Sequence, residues 1–173
     1  MPPIHEKDAA PLDRESRPGM GRPVLFAWLL AGTMDIVAAI FLYAFPSGTR
    51  IMRLLQGIAS GLIGAKAFSG GVQTAALGLV AHYVIALVWT IVGFVLLSTF
   101  KTLNRHLILA GVTYGVVVWA VMNLIVLPLS NVGGRPVQFV PSVIAATTLI
   151  FCIGLPIALV IGRQLRDART PEW

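Results

Sequence analysis

The order of apolar and polar positions divides this chain into four long apolar segments separated by short polar ones. The first, from Val24 to Phe45, is broken by a single acid, Asp35, near its middle. At about 1.5 Å per residue a run of this length crosses the roughly 30 Å hydrocarbon core of a bilayer, which predicts a spanning helix over residues 23–45. Arg22 and Pro23 mark its entry, Trp28 lies a turn inside, and Pro46-Ser47-Gly48 ends it. Between residues 50 and 66 the apolar positions Ile51, Leu54, Leu55, Ile58 and Leu62 recur at helical spacing, with Arg50, Arg53, Gly57, Ser60 and Gly61 between them. This amphipathic segment is too short to span and predicts an interfacial or re-entrant helix, closed by Ser69-Gly70-Gly71. Spanning helices two, three and four are predicted over residues 73–100, 107–128 and 139–162. Pro128 is expected to stop the third, Pro141 to lie in the first turn of the fourth, and Pro156 to kink the fourth by leaving the Cys152 carbonyl without its usual donor.

The expected fold is therefore all-α: a polytopic membrane protein, a four-helix transmembrane bundle over residues 23–162 with a short interfacial amphipathic helix between helices one and two. Residues 1–22, rich in proline and mixed charge, read as a disordered tail, and residues 163–173 as a second tail. The first apolar run is too long for the core of a cleaved signal and lacks a small-x-small cleavage site. Composition agrees: of 173 residues, 57% are apolar and only 12% charged, too few to cover a soluble domain. The net charge of +6 is scattered through tails and loops instead of forming a basic run interleaved with aromatics, so it points to lipid headgroups and not to nucleic acid. Assigned by side, nine Lys and Arg lie with the two tails and the second loop against four on the other side, which puts both termini in the cytoplasm of a bacterial inner membrane.

Chemistry has few places to reside. An unpaired charge at the depth of Asp35 costs at least about 2.5 kcal/mol, so something must pair, solvate or neutralise it. Counted from the outer ends of the helices at about 1.5 Å per residue, Asp35 lies about 15 Å down helix one, and His82 and Thr148 about 14 Å down helices two and four. Trp119 on helix three falls in the same layer. An Asp beside a His in such a layer forms an ion pair or shares a proton, the chemistry of proton relays and cation sites; the plainer reading is a hydrogen bond that holds two helices together.

Gly78, His82, Ala86 and Thr90 recur at steps of four and give helix two a small, polar face directed into the bundle. Gly111 and Gly115 make a small-xxx-small step on helix three, where a second copy of the chain is expected to pack, giving a homo-oligomer, a dimer. Phosphate loops, metal-ligand clusters and a nucleophile paired with its base are all lacking in the sequence, so no enzyme activity, metal or cofactor is expected. A bis-His haem needs two intramembrane histidines, and His106 lies at the membrane edge. Cys152, the single cysteine, reads as a small core residue.

The series Ala31-Gly32-Thr33-Met34-Asp35-Ile36, Leu55-Gln56-Gly57-Ile58-Ala59-Ser60-Gly61, Ala67-Phe68-Ser69-Gly70-Gly71, Ala76-Leu77-Gly78-Leu79-Val80-Ala81-His82, Leu127-Pro128-Leu129-Ser130 and Gly154-Leu155-Pro156-Ile157-Ala158 resembles a group of bacterial inner-membrane proteins, the YagU-like family. The resemblance covers Ala31 to Gly162 and implies an inner-membrane bundle without supplying a biochemical activity. The resemblance implies that relatives often carry a histidine in helix four before the Gly-Leu-Pro-Ile step, where this chain has Thr147-Thr148-Leu149-Ile150-Phe151-Cys152. The function classes in view are thus a small-solute or proton-linked transport or binding module built on the Asp35 and His82 layer, or a structural or stress-response membrane protein in which that layer only packs.

Overall fold

The computed structural model describes residues 21–46, 50–133 and 138–168. Four helices in it are long and apolar enough to cross a membrane: α1 (Gly21–Ala44), α3 (Gly71–Thr99), α5 (Leu107–Leu129) and α6 (Phe139–Asp167). Two short helices, α2 (Ile51–Ile63) and α4 (Lys101–Arg105), join them. No strand occurs among the described residues. The chain is a multi-pass, all-α membrane protein.

The packing inverts that of a soluble domain. Large apolar side chains such as Phe26, Val80, Ile108, Leu129 and Phe151 face outward, while Ala27, Ala31, Ala59, Ala86 and Thr90 are buried. Lipid tails are as apolar as leucine, so helices gain nothing by hiding large side chains from them; they gain by close backbone approach, which small residues permit. Three helices, α1, α3 and α6, pack against one another, and α5 packs chiefly on α6. At that seam a Cβ on Gly154 would stand 2.8 Å from the Gly115 nitrogen, and one on Gly111 would stand 3.0 Å from the Leu155 Cα. The Gly111 and Gly115 step is therefore filled by helix α6 of the same chain. This corrects the expectation that it offers a second copy its surface.

Helix α2 lies against the first turns of α3. Its inward residues are Gln56, Ala59 and Ser60, whereas Ile51, Met52, Leu62 and Ile63 face outward. Gly78 carries the contact: a Cβ there would collide with the Leu55 carbonyl, so the glycine that admits the neighbouring backbone sits on α3, and Gly57 of α2 meets nothing within 4 Å. Gln56 Nε2 donates to the Gly71 carbonyl at 3.0 Å, and Asn131, beyond α5, closes the end of α2 by donating from Nδ2 to the Leu62 carbonyl at 2.6 Å.

The prolines shape three of the long helices in one way. Wide, five-residue turns occupy Ile40–Ala44, Met122–Val126 and Ile150–Gly154, and each ends two residues before a proline: Pro46, Pro128 and Pro156. In a regular helix the proline ring strikes the carbonyl four residues back, which here belongs to Leu42, Leu124 or Cys152, the middle residue of each wide turn. Widening the turn moves that carbonyl away; α1 ends with its turn at Ala44, α5 ends at Leu129, and α6 proceeds to Asp167. Helix α5 accordingly ends at Leu129, one residue past Pro128, and Pro156 is met by a wide turn. Pro141, in the first turn of α6, needs no such turn because its missing N–H has no carbonyl to serve; the first bond there runs from the Ser142 N–H to the Gln138 carbonyl at 3.0 Å.

At the end that carries the termini, α6 extends beyond Gly162 to Asp167. Leu165 is buried, and the Arg166 guanidinium donates to the carbonyls of Asn104 and Arg105, which ties the last turn to α4. Helix α1 likewise begins at Gly21, two residues before the expected start. The rest of both expected tails, residues 1–20 and 169–173, lies outside the described residues, as do 47–49 and 134–137.

Candidate functional site

Asp35 is set by the face of α1 that meets α3. Trp28, Gly32 and Asp35 follow one another at steps of four and three, so they share a stripe. Trp28 Nε1 donates to the Tyr83 carbonyl at 2.7 Å, and the hydroxyls of Thr33 and Tyr83 are 2.9 Å apart. Between these ties sits Gly32. A Cβ there would meet the Tyr83 ring at 3.0 Å and the Ala86 methyl at 3.3 Å, so glycine lets α3 approach the backbone of α1.

That approach brings His82 to the Gly32 carbonyl, with Nε2 at 2.8 Å. A carbonyl oxygen can only accept, so Nε2 is the nitrogen that donates there. Tyr83 packs edge-on to both the His82 ring and the Trp28 indole, at centroid separations of 5.5 and 6.1 Å.

Asp35 itself is half-buried, and among the described residues its carboxylate accepts no hydrogen bond and forms no ion pair. It lies within electrostatic reach of three titratable side chains: His82 on α3, Tyr43 on its own helix and Cys152 in the wide turn of α6. A carboxylate in this position demands compensation from a proton, from an imidazolium or from a bound cation.

Of the four residues that sequence depth put in one layer, His82 acts electrostatically on Asp35, and Thr148 and Trp119 have surroundings of their own. Thr148 donates from its hydroxyl to the Ile144 carbonyl of its own helix at 2.8 Å. Trp119 follows Gly111 and Gly115 at steps of four; its backbone carbonyl accepts from Asn123 Nδ2 at 2.9 Å, and its buried Nε1 has no acceptor among the described residues. Depth along an axis carries no information about direction around it. Sequence reasoning missed Trp28, Thr33 and Tyr83 as members of the site, although the spacing of Trp28, Gly32 and Asp35 was available to reveal the first. It also treated Cys152 only as filling.

A small apolar cavity of about 20 Å³ lies elsewhere, between α3, α5 and α6, lined by Gly93, Leu97, Leu103, Tyr114 and Ile157. It has room for about one water and few groups to hold it. The Tyr114 hydroxyl beside it is already engaged, donating to the Trp89 carbonyl. Three or more His, Cys, Asp or Glu side chains do not gather into a metal-binding group among the described residues.

Comparison of the chain with protein-family models, with curated proteins and with solved structures returns no match.

Proposed function

We propose that this membrane protein is a proton-linked transport or binding module whose working group is the Asp35 carboxylate, with His82 as its charge partner. The observation that carries this reading is a division of labour. The ties between α1 and α3 are made by Trp28, Thr33, Tyr83 and His82, and Asp35 makes none of them. A residue kept only to fasten helices would be expected among the fasteners. An ionisable group that costs at least about 2.5 kcal/mol at mid-membrane, and returns no hydrogen bond, is retained for what its charge does. The alternative, a structural or stress-response protein, fits His82, whose ring spans the two helices, better than it fits Asp35.

The proton would be held on the carboxylate in one state and on His82 Nδ1 in the other, because Nε2 keeps its hydrogen on the Gly32 carbonyl throughout. Infrared titration of the purified protein in lipid nanodiscs tests this. A protonated-carboxyl band that appears on acidification, and is missing in Asp35→Asn of unchanged thermal stability, supports the reading. A protein with no such band, or an Asp35→Asn variant that fails to assemble, overturns it.

The remaining parts of the proposal come from the sequence: placement in a bacterial inner membrane, both termini in the cytoplasm, and kinship with the YagU-like group. Labelling a cysteine introduced at Asn131 with an impermeant reagent in intact cells checks the orientation, and an unlabelled loop reverses it. The expected dimer, deprived of the Gly111 and Gly115 face, would have to use a lipid-facing surface; native mass spectrometry in a mild detergent decides between one copy and two.

A further inference from the structure

We propose that Asp35 and the wide turn of α6 together form a binding site for a dehydrated monovalent metal cation, with Na+ as the ligand to test. The inference rests on the reading of Asp35 as the working group and adds what that group binds besides a proton.

The turn Ile150–Gly154 is short of hydrogen-bond donors. The Leu155 N–H donates five residues back, to the Ile150 carbonyl. The next donor in that register would be Pro156 to the Phe151 carbonyl, but proline has no N–H. In the ordinary helical register the carbonyl that loses its partner would be that of Cys152. In either register an acceptor of this turn is left without its backbone donor at a depth where water is scarce. Helix α1 packs along this same turn, and Asp35 is the α1 residue whose charge reaches Cys152 at its centre. An unbonded carboxylate thus stands on the helix that packs along a turn with an open carbonyl. Both are acceptors, so neither satisfies the other, and a cation satisfies both.

The chemistry of the donors sets the class. Carboxylate and carbonyl oxygens are hard ligands, suited to alkali and alkaline-earth ions and not to soft metals. With one carboxylate the site is neutral around a monovalent ion, whereas a divalent ion would leave a net charge buried in low dielectric. Interrupted helices that offer backbone carbonyls at mid-membrane are a general way to hold such ions. The titratable groups facing Asp35 are His82, Tyr43 and Cys152, and none of them adds a second negative charge while Tyr43 and Cys152 keep their protons. Cation and proton then compete for one carboxylate, the minimal requirement for exchanging one against the other.

Cys152, the chain's single cysteine, is buried in the middle of this turn and serves as a native reporter. The experiment measures its alkylation by a membrane-permeant maleimide in phosphatidylcholine nanodiscs, in NaCl against choline chloride at equal ionic strength. Na+ at about ten times its Kd should slow labelling about tenfold. Asp35→Asn should abolish the protection, and Pro156→Ala, which returns an N–H to the turn, should move it to higher Na+ while the carboxyl band still titrates. A Na+-induced shift of the Asp35 carboxylate stretch in the unmodified protein gives a second readout that needs no variant to fold. Equal rates in Na+ and choline, with the carboxyl band still titrating, overturn this inference and leave the proposed function standing; loss of both removes both. Protection that persists in Asp35→Asn, or is unchanged in Pro156→Ala, places the ion elsewhere and also overturns it.

Discussion

Helix α3 and the three helices around it solve the same problem differently. Helix α3 has no proline after its start and runs as 29 residues of unbroken α-helix. Helices α1, α5 and α6 each contain a five-residue wide turn two residues before a proline. The contrast shows what each kind of helix is for. The regular one presents an ordered ladder of small and polar residues, with Gly78 admitting α2, His82 and Ala86 meeting α1, and Gly93 meeting Ile157 of α6. The interrupted ones leave the regular register beside a proline, and the turns that contain Tyr43 and Cys152 lie within electrostatic reach of Asp35. Helix α3 is a scaffold; the open backbone belongs to its neighbours.

The largest expected effect comes from the seam between two interrupted helices. Gly154→Leu drives a side chain into the backbone of Gly111 and Gly115, where no flexible atom can yield, and should cost more than about 4 kcal/mol, read as loss of a monodisperse, thermally cooperative species in detergent. Next comes a proline placed where none exists. Val84 of α3 faces lipid, so Val84→Pro loses little packing and should still cost about 3 kcal/mol by thermal unfolding, because α3 has no wide turn to receive the ring. A stable Val84→Pro variant would break the comparison. Tyr114→Phe removes the hydroxyl that joins α5 to the Trp89 carbonyl of α3 and should cost about 0.6–1.7 kcal/mol in the same measurement, the range found for hydrogen bonds between membrane helices. Smallest is Asp35→Asn, which breaks no hydrogen bond among the described residues and removes a charge; its unfolding free energy should stay within about 0.5 kcal/mol of the unmodified protein or rise. A large loss there would move Asp35 from the working residues to the structural ones.

Much of this was legible along the chain. Apolar length marks the four spans because, in lipid, a backbone must satisfy its own hydrogen bonds and a helix of about 20 residues does so across the hydrocarbon. The four-residue spacing of Gly78, His82, Ala86 and Thr90 marks an inward face on α3, since only small and polar residues distinguish inside from outside there. The prolines mark where helices are disturbed.

What the chain order left open was decided by how the helices meet. Apolar periodicity is silent on direction when lipid and protein interior are equally apolar, so the depth that Thr148 and Trp119 share with Asp35 did not reveal that Thr148 bonds back to Ile144 or that the Trp119 Nε1 is buried. The same silence hid the partner of Gly111 and Gly115: a small-xxx-small step reports that a backbone will approach, and only the packing of α6 shows that the backbone belongs to the same chain. A proline reports a lost donor, but whether the helix stops, bends or widens depends on what lies against it. Gly115 of α5 and helix α1 both pack on the turn before Pro156, and there the helix widens and continues. Sequence therefore determined the spans, their small faces and the sites of disturbance, because these follow from one-dimensional length and spacing. The meeting of His82 with the Gly32 carbonyl of α1, and the packing of α1 along the wide turn of α6, depended on rotation about the helix axes, which is settled only when all four helices pack at once.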